Sequence, residues 1–329
     1  MIVRPLAQDF DWDQYVDSTV RAFGPVDEVM VRPVIESAVA AGRCLGAFDQ
    51  GRLVATALYH DMRQWWHGRA VPMAGVGGVT VAPEYRGQGV GRALMTALTE
   101  LMAERGYWDQ PTMRRWLTRP GRYADADRYA YLGPDGFPGY RWQHGNDAIF
   151  VERVVASSAA TTRALWAVAA SNSSVAGTVR AQVGPSDPLW WMLREQDADI
   201  AERESWMLRL LDAPAAIAAR GFPATDIAVP LQITDDLRPA NSGRWDLTVG
   251  AGEGRLSRYR TVAPSPSSAG RSHARCAPLA LGARGLAALY AGTPVATLRR
   301  AGLADGGSQD ADAALDGAFA ATPFMLDGF

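Results

Sequence analysis

Cysteine is scarce in this chain: its 329 residues hold two, Cys44 and Cys276, far apart and without neighbouring ligand-type side chains. That spacing excludes a disulfide framework and a thiolate zinc site, and both thiols read as buried or inert. Histidine is scarce as well. His60, His67, His144 and His273 stand alone, so no base and nucleophile pair up among them, and the carboxylates form no metal-ligand motif. No run of about eighteen apolar residues is available to cross a bilayer, and the opening Met1-Ile2-Val3-Arg4-Pro5-Leu6 lacks the basic and apolar blocks of a secretion signal, so a cytoplasmic protein is expected. Excess charge is missing too: 33 basic residues against 35 acidic give a net charge of −2 with both signs interspersed, which provides no field to recruit nucleic acid or membrane. What is present is globular, with 48% hydrophobic and 21% charged residues, and at 329 residues two or three domains are expected.

The most informative stretch runs from Val79 to Arg92. Val76 to Val81 is rich in valine and glycine and reads as a strand, Pro83 ends it, and from Val90 the apolar residues fall at helical spacing. Gly87, Gly89 and Gly91 permit close approach of the backbone to a ligand, and the free N–H groups of the first helical turn attract an anion such as a pyrophosphate. The dinucleotide pattern G-x-G-x-x-G and the P-loop G-x-x-x-x-G-K-[ST] both fail here, because the register is Arg86-x-x-Gly89-x-Gly91 with no lysine following. Arg-x-x-Gly-x-Gly after such a strand resembles the pyrophosphate loop of the GNAT superfamily of acyl-CoA-dependent N-acetyltransferases.

The flanking pattern is consistent with that resemblance. Residues 2–5 predict a short strand, Asp9 or Asp11 the cap of a helix reaching Phe23, and 26–41 a second helix. Cys44–Phe48 and Leu53–Met62 predict a hairpin, ended by a turn at His67-Gly68. Val90, Leu94, Ala97, Leu98 and Leu101 line one face of the helix after the glycine loop. Residues 108–116 read as a charged helix, and no apolar strand follows until Arg128. From there a hairpin around Gly133-Pro134-Asp135-Gly136, a strand 148–155, a helix 160–170 and a strand 176–183 form a second GNAT-like sheet without a pyrophosphate loop. A short helix with Trp190 and Trp191 in the core comes next. The last third predicts a strand at Trp206–Leu211, a helix at Pro214–Arg220, strands at 228–233 and 244–249, disorder at 263–272, and helices at 283–290 and 310–320.

This order of parts, with Trp206 to Phe222, the hairpin containing Trp245 and the ending Thr322-Pro323-Phe324-Met325-Leu326-Asp327-Gly328-Phe329, resembles the Eis (enhanced intracellular survival) family. The resemblance implies an α+β chain: a tandem, partly truncated GNAT acyltransferase fold followed by a sterol-carrier-protein-like α/β domain. The implied domains are 1–107, a GNAT half with the acetyl-CoA loop; 108–205, a degenerate GNAT-like domain; and 206–329, the carrier-like domain. It places acetyl-CoA, as cosubstrate and without a metal, on Val79, Thr80 and Val81 and on Arg86, Gly87, Gln88, Gly89, Val90, Gly91 and Arg92. The strand edge would bind the pantetheine and polarise the thioester carbonyl, and the loop would hold phosphates. The implied general base is the terminal carboxylate of Phe329, which removes the proton from the incoming ammonium. An α-carboxyl starts near pKa ~3.5, and an apolar wrapping by Phe324, Met325, Leu326 and Phe329 is expected to raise it. The family's general acid, a tyrosine soon after the loop helix, has no counterpart: the chain passes from Tyr107 into the second domain, as if several tens of residues were deleted.

The resemblance implies a cytoplasmic hexamer that acetylates primary amines of small molecules, aminoglycoside-like or lysine-like, with no nucleic-acid or membrane partner. A catalytically impaired acyl-CoA-binding relative and a small-molecule or lipid binder are the alternatives. Asp9, Asp11, Asp13, Asp17 and Glu28 are candidates for an acidic acceptor pocket.

Overall fold

The computed structural model describes residues 1–105, 128–143, 147–172, 175–193, 198–259 and 277–326. They form two compact units: one from the described residues up to 105 together with 205–323, the other from 128–204 with 324–326.

The first unit opens with an antiparallel sheet ordered β1 (Ile2–Pro5), β2 (Cys44–Asp49), β3 (Arg52–Trp66) and β4 (Arg69–Val81). Strand alternation separates its two faces. Cys44, Leu53 and Leu58 point to one side and pack with Tyr15 of α1 (Trp12–Phe23) and Ile35, Ala38 and Val39 of α2 (Glu28–Ala40). Leu45, Ala47, Val54 and Ala57 point to the other and meet Val90, Leu94, Leu98 and Met102 of α3 (Val90–Arg105). Asp11 caps α1 by accepting the Gln14 N–H at 3.1 Å, and that hydrogen bond holds its carboxyl below the usual range. The strand expected at 76–81 begins earlier, at Arg69. Its first half contains Pro72, which a ladder tolerates because β4 is the edge of this sheet among the described residues.

The last third contributes α6 (Ala213–Ala219) and a sheet ordered β11 (Glu253–Arg258), β10 (Gly243–Gly250), β9 (Ile227–Thr234), β12 (Leu279–Gly282) and β13 (Ala304–Gly306). Against it lie α7 (Ala283–Tyr290), α8 (Val295–Arg300) and α9 (Gln309–Phe319). Its core takes in Trp66 and Val71 from the β3–β4 hairpin beside Leu231, Leu247, Leu289 and Phe319, so the first and last thirds share one apolar interior. The segment 205–211, expected as a strand, joins no sheet: Met207 is 98% exposed and Leu210 is buried. Its polar groups are taken by side chains instead of a ladder, with Arg209 Nη2 donating to Asp235 Oδ1 at 2.5 Å and Asn241 Nδ2 to the Leu210 carbonyl at 3.3 Å. β12, α8 and β13 lie in stretches for which no element was expected.

The second unit is a sheet ordered β5 (Arg128–Ala130), β6 (Gly136–Gln143), β7 (Ala148–Ala156) and β8 (Thr178–Ala181), with β8 parallel to β7 across α4 (Ala159–Ala170). Leu165 and Ala169 of α4 are buried, as helical spacing predicts. Trp191, in the short α5 (Leu189–Met192), corrects the sequence expectation: it is 88% exposed, since four residues of helix give no second turn to fold it inward. The charged helix expected at 108–116, Tyr107, and the loop 263–272 lie outside the described residues.

Candidate functional site

The glycine-rich loop leaves the C-terminal end of β4, and the last residues of that strand are not regular. Thr56 pairs with Thr80 but Leu58 pairs with Gly77, so Gly78 and Val79 together stand opposite Ala57. This is a β-bulge, with Gly78 at φ +57°, where a side chain is disfavoured. Beyond it the Ala82 N–H donates to the Val54 carbonyl of β3 at 2.8 Å, which by alternation turns the N–H and C=O of Val81 outward. The Val81 carbonyl accepts from Arg86 Nε at 3.2 Å on that outer side. Among the described residues no strand covers this edge, so Val79 and Val81 present backbone groups to a ligand. Thr80 differs: the residue is 1% exposed, its hydroxyl lies 2.8 Å from both Ser18 and Thr56, and by the same alternation its backbone faces β3.

The turn that follows is built to leave amides open. Pro83–Tyr85 form one 3₁₀ turn, and Gly87 at φ +76° and Gly89 at φ +79° swing the chain into α3. The first ladder bond of α3 runs from Ala93 N–H to the Gly89 carbonyl at 3.0 Å, which leaves the amides of Val90, Gly91 and Arg92 without helical partners. Gly89 has no side chain to cap them. In the second unit the corresponding junction is closed, because Ser158 accepts the Thr161 N–H at 3.2 Å at the start of α4. The α3 loop is anchored from below: Gln88 Nε2 donates to the Glu84 carbonyl at 2.7 Å, and Glu84 receives two hydrogen bonds from Arg21 of α1, at 3.1 and 2.6 Å. Those bonds hold the Glu84 carboxyl below its usual range. Arg86 and Arg92 are exposed and unpaired with carboxylates among the described residues, positioned beside the open amides. Open amides, a helix dipole and the Arg86 and Arg92 guanidinium groups, the first also donating to the Val81 carbonyl, are features that attract an anion.

A concavity of about 550 Å³, lined by Arg69, Thr248, Glu253 and Arg255, sits at the opposite end of β4 from the loop and takes no part in it. A recess too tight to admit a water molecule lies between α1 and α2, lined by Trp12, Tyr15, Val16, Thr19, Val26, Glu28 and Val31, with the Trp12 ring covered by the Arg32 guanidinium at 4.9 Å and stacked on Tyr15 at 5.6 Å. Of the acidic candidates, only Glu28 lines that recess, with its Oε2 accepting from Trp12 Nε1 at 3.1 Å; Asp11 caps α1 and Asp17 pairs with Arg21 at 3.7 Å.

Two acetyltransferase (GNAT) domain models match this chain, over residues 3–109 and 102–210, and a sterol carrier protein domain model matches residues 213–326. The crystal structure of a GCN5-related N-acetyltransferase from Kribbella flavida superposes with a TM-score of 0.85 at 35% identity, covering 100% of this chain and 98% of that one. The chain belongs to the GCN5-related N-acetyltransferase (GNAT) family. Two further structures share the whole GNAT and carrier arrangement as a fold: a GCN5-related N-acetyltransferase from Anabaena variabilis, with TM-score 0.83 and 21% identity, and Eis1 from Mycobacterium abscessus, with TM-score 0.76 and 22% identity, each covering 100% of both chains. An uncharacterized N-acetyltransferase from Streptomyces avermitilis is 29% identical over 188 residues, which span 56% of this chain and 43% of that protein.

Substituting Gly89 by valine is expected to weaken acetyl-CoA binding at least about tenfold. A β-branched residue in the left-handed region costs about 1–2 kcal/mol, and relieving that strain moves the amides. Calorimetric titration of the variant checks this. Cys44 is buried, and burial pushes its thiol up to about 12, which removes it from nucleophilic chemistry. Among the described residues no group of three metal-binding side chains gathers, and no helix is long and apolar enough to cross a membrane. Phe329 lies outside the described residues; of its expected wrapping, Phe324 is half exposed and Met325 and Leu326 are partly buried. Sequence reasoning missed Ser18, Thr56 and the bulge. The signal for the bulge was present: two glycines, Gly77 and Gly78, inside a valine-rich strand mark an interrupted ladder.

Proposed function

We propose that this protein transfers the acetyl group of acetyl-CoA to a primary amine of a small molecule, aminoglycoside-like or lysine-like, in the manner of the Eis proteins it resembles. One observation carries the reading: the open α3 amides, flanked by Arg86 and Arg92, adjoin an uncovered, bulged β4 edge. The first feature suits the pyrophosphate of CoA and the second its pantetheine and thioester, with Val79 and Val81 contributing backbone groups and Gly87, Gln88, Gly89, Val90 and Gly91 the loop. In the proposed reaction the terminal carboxylate of Phe329 takes a proton from the ammonium, the freed amine nitrogen bonds to the acetyl carbon, the carbon–sulfur bond breaks with its electron pair on sulfur, and the departing CoA thiolate takes up the second nitrogen proton through solvent. The 329 residues contain no lysine, so the chain offers no lysine side chain as an internal acceptor.

By resemblance, the domains divide at 1–107, 108–205 and 206–329, the first shortened after Tyr107, and the assembly is a cytoplasmic hexamer. The deciding experiment incubates the protein with acetyl-CoA and a panel of amines while following free thiol. Amine-dependent thiol release supports transfer. Binding of acetyl-CoA without release for any amine replaces this reading with that of an impaired acyl-CoA-binding relative.

A further inference from the structure

The bulge in β4 is held by three hydroxyls buried beneath it. Ser18 on α1, Thr56 on β3 and Thr80 on β4 are 4%, 0% and 1% exposed, so no water competes for their bonds. Thr80 Oγ1 accepts the Thr56 N–H at 3.1 Å, replacing the ladder carbonyl that the bulge displaces. Thr56 Oγ1 lies 3.3 Å from the Gly78 carbonyl, which has no proton to give, so the Thr56 hydroxyl donates there. The remaining two directions then follow. With its proton spent, Thr56 Oγ1 accepts from the Thr80 hydroxyl at 2.8 Å, and Thr80 Oγ1 accepts from the Ser18 hydroxyl at 2.8 Å. The buried Tyr15 phenol also meets the Thr56 hydroxyl and, with the Thr56 proton on Gly78, donates to it; the protons then run one way, from Ser18 through Thr80 and Thr56 to the Gly78 carbonyl.

That carbonyl is half of a peptide whose other half is the Val79 N–H. The Gly78–Val79 peptide is trans, so the planar geometry that turns the Gly78 oxygen inward to Thr56 turns the Val79 N–H the opposite way, to the edge that no described strand covers. A chain of aligned hydroxyls in a dry interior polarises each successive bond, and polarising a peptide carbonyl makes its N–H a better donor. We propose that Ser18, Thr80 and Thr56 form a positioning relay that aims and strengthens the Val79 amide as the donor to the thioester carbonyl oxygen. This rests on acetyl-CoA lying along the β4 edge, as proposed above. The three residues touch no substrate and act through the Gly78–Val79 peptide.

The test compares full-length wild type, Thr80→Val, Thr80→Ser and Ser18→Ala by acetyl-CoA titration, by steady-state transfer to an amine that the wild type accepts, and by hydrogen exchange of the Val79 amide. Valine keeps the shape of threonine and deletes the hydroxyl. Thr80→Val is expected to bind acetyl-CoA within threefold of wild type and to exchange the Val79 amide faster. Its kcat should fall about tenfold or more, a part of the 10²–10³ typical of losing an oxyanion donor outright. Thr80→Ser is expected to restore kcat to within about threefold. Thr80→Val with wild-type kcat, or Thr80→Ser as slow as Thr80→Val, overturns the relay. Should Thr80→Val fail to fold, Ser18→Ala, which removes only the head of the chain, is read instead, with an expected loss of about threefold in kcat at unchanged acetyl-CoA affinity; no loss overturns the proposal. A wild type that does not bind acetyl-CoA overturns the site itself before any variant is compared, so the two failures are distinct.

Discussion

Adding one alanine after Phe329 is expected to lower kcat for acetyl transfer by about 10² to 10⁴, the range general-base catalysis supplies, while acetyl-CoA affinity stays within threefold. The acceptor reaches the site as an ammonium, whose nitrogen lone pair is tied up by a proton, and the proposed base is the terminal carboxylate itself, not the side chain. One extra residue carries that carboxylate about 3.5 Å along the chain, and a misplacement of about 1 Å already costs on the order of 10² in rate. Phe329→Leu keeps the carboxylate in register and is expected to retain activity within about tenfold, because only packing around the base changes. The measurement is thiol release at saturating amine for the three proteins. An extended chain as active as the parent removes Phe329 from the mechanism.

Arg220→Ala is expected to destabilise the fold by about 3–5 kcal/mol, the range for breaking a buried charged network. Arg220 is 0% exposed at the end of α6, where its guanidinium sits 4.8–5.1 Å from the ring centres of Trp66, Phe222, Tyr290 and Phe319. It donates to the Tyr290 carbonyl and, at 3.3 Å, to the Phe319 carbonyl; among the described residues its Nε has no partner and no carboxylate pairs with the charge. Burial pulls its pKa down from 12.5 to about 10, a penalty of about 3 kcal/mol. Against this stand two charge-assisted hydrogen bonds of about 1.5–3 kcal/mol each and cation–π attraction of about 0.5–2 kcal/mol per ring, so the residue contributes favourably on balance. Alanine forfeits these, strands two carbonyls and opens a cavity under four rings. Arg220→Met refills the space and is expected to cost less. Both chain states hold the proton below pH 10, so the burial penalty is fully present there. It is relieved between pH 10 and 12.5, where the unfolded state binds more protons, so this residue makes wild-type stability rise with pH in that window while Arg220→Met lacks the rise. Urea unfolding of the three proteins measures these differences; Arg220→Ala within 1 kcal/mol of wild type would contradict them.

Local chemistry made the anion loop legible in the sequence. A valine-rich strand, Pro83, glycines at 87, 89 and 91 and helical spacing from Val90 each constrain the backbone within a few residues, and the fold places α3 and the end of β4 accordingly. The paired GNAT units and the carrier-like domain were legible for the same reason, since each repeats a periodic order of elements. Properties that depend on a distant partner were not legible. Trp191 is a large apolar residue and is exposed, and Trp206–Leu211 is a short apolar run that reads as a strand yet finds no ladder, because Asp235 and Asn241 take its polar groups.

Arg220 reads as an ordinary helix-terminal arginine until Trp66 closes over it from 154 positions earlier in the chain. The relay shows the same division. Sequence alone determined that a strand ending near Val81 runs through a glycine turn into an open helix start, because the conformational freedom and missing side chains of glycine are properties of single residues. Only the tertiary structure decided which way the Val79 amide faces, because that direction is set by hydroxyls on three elements, with Ser18 separated from Thr80 by 62 residues.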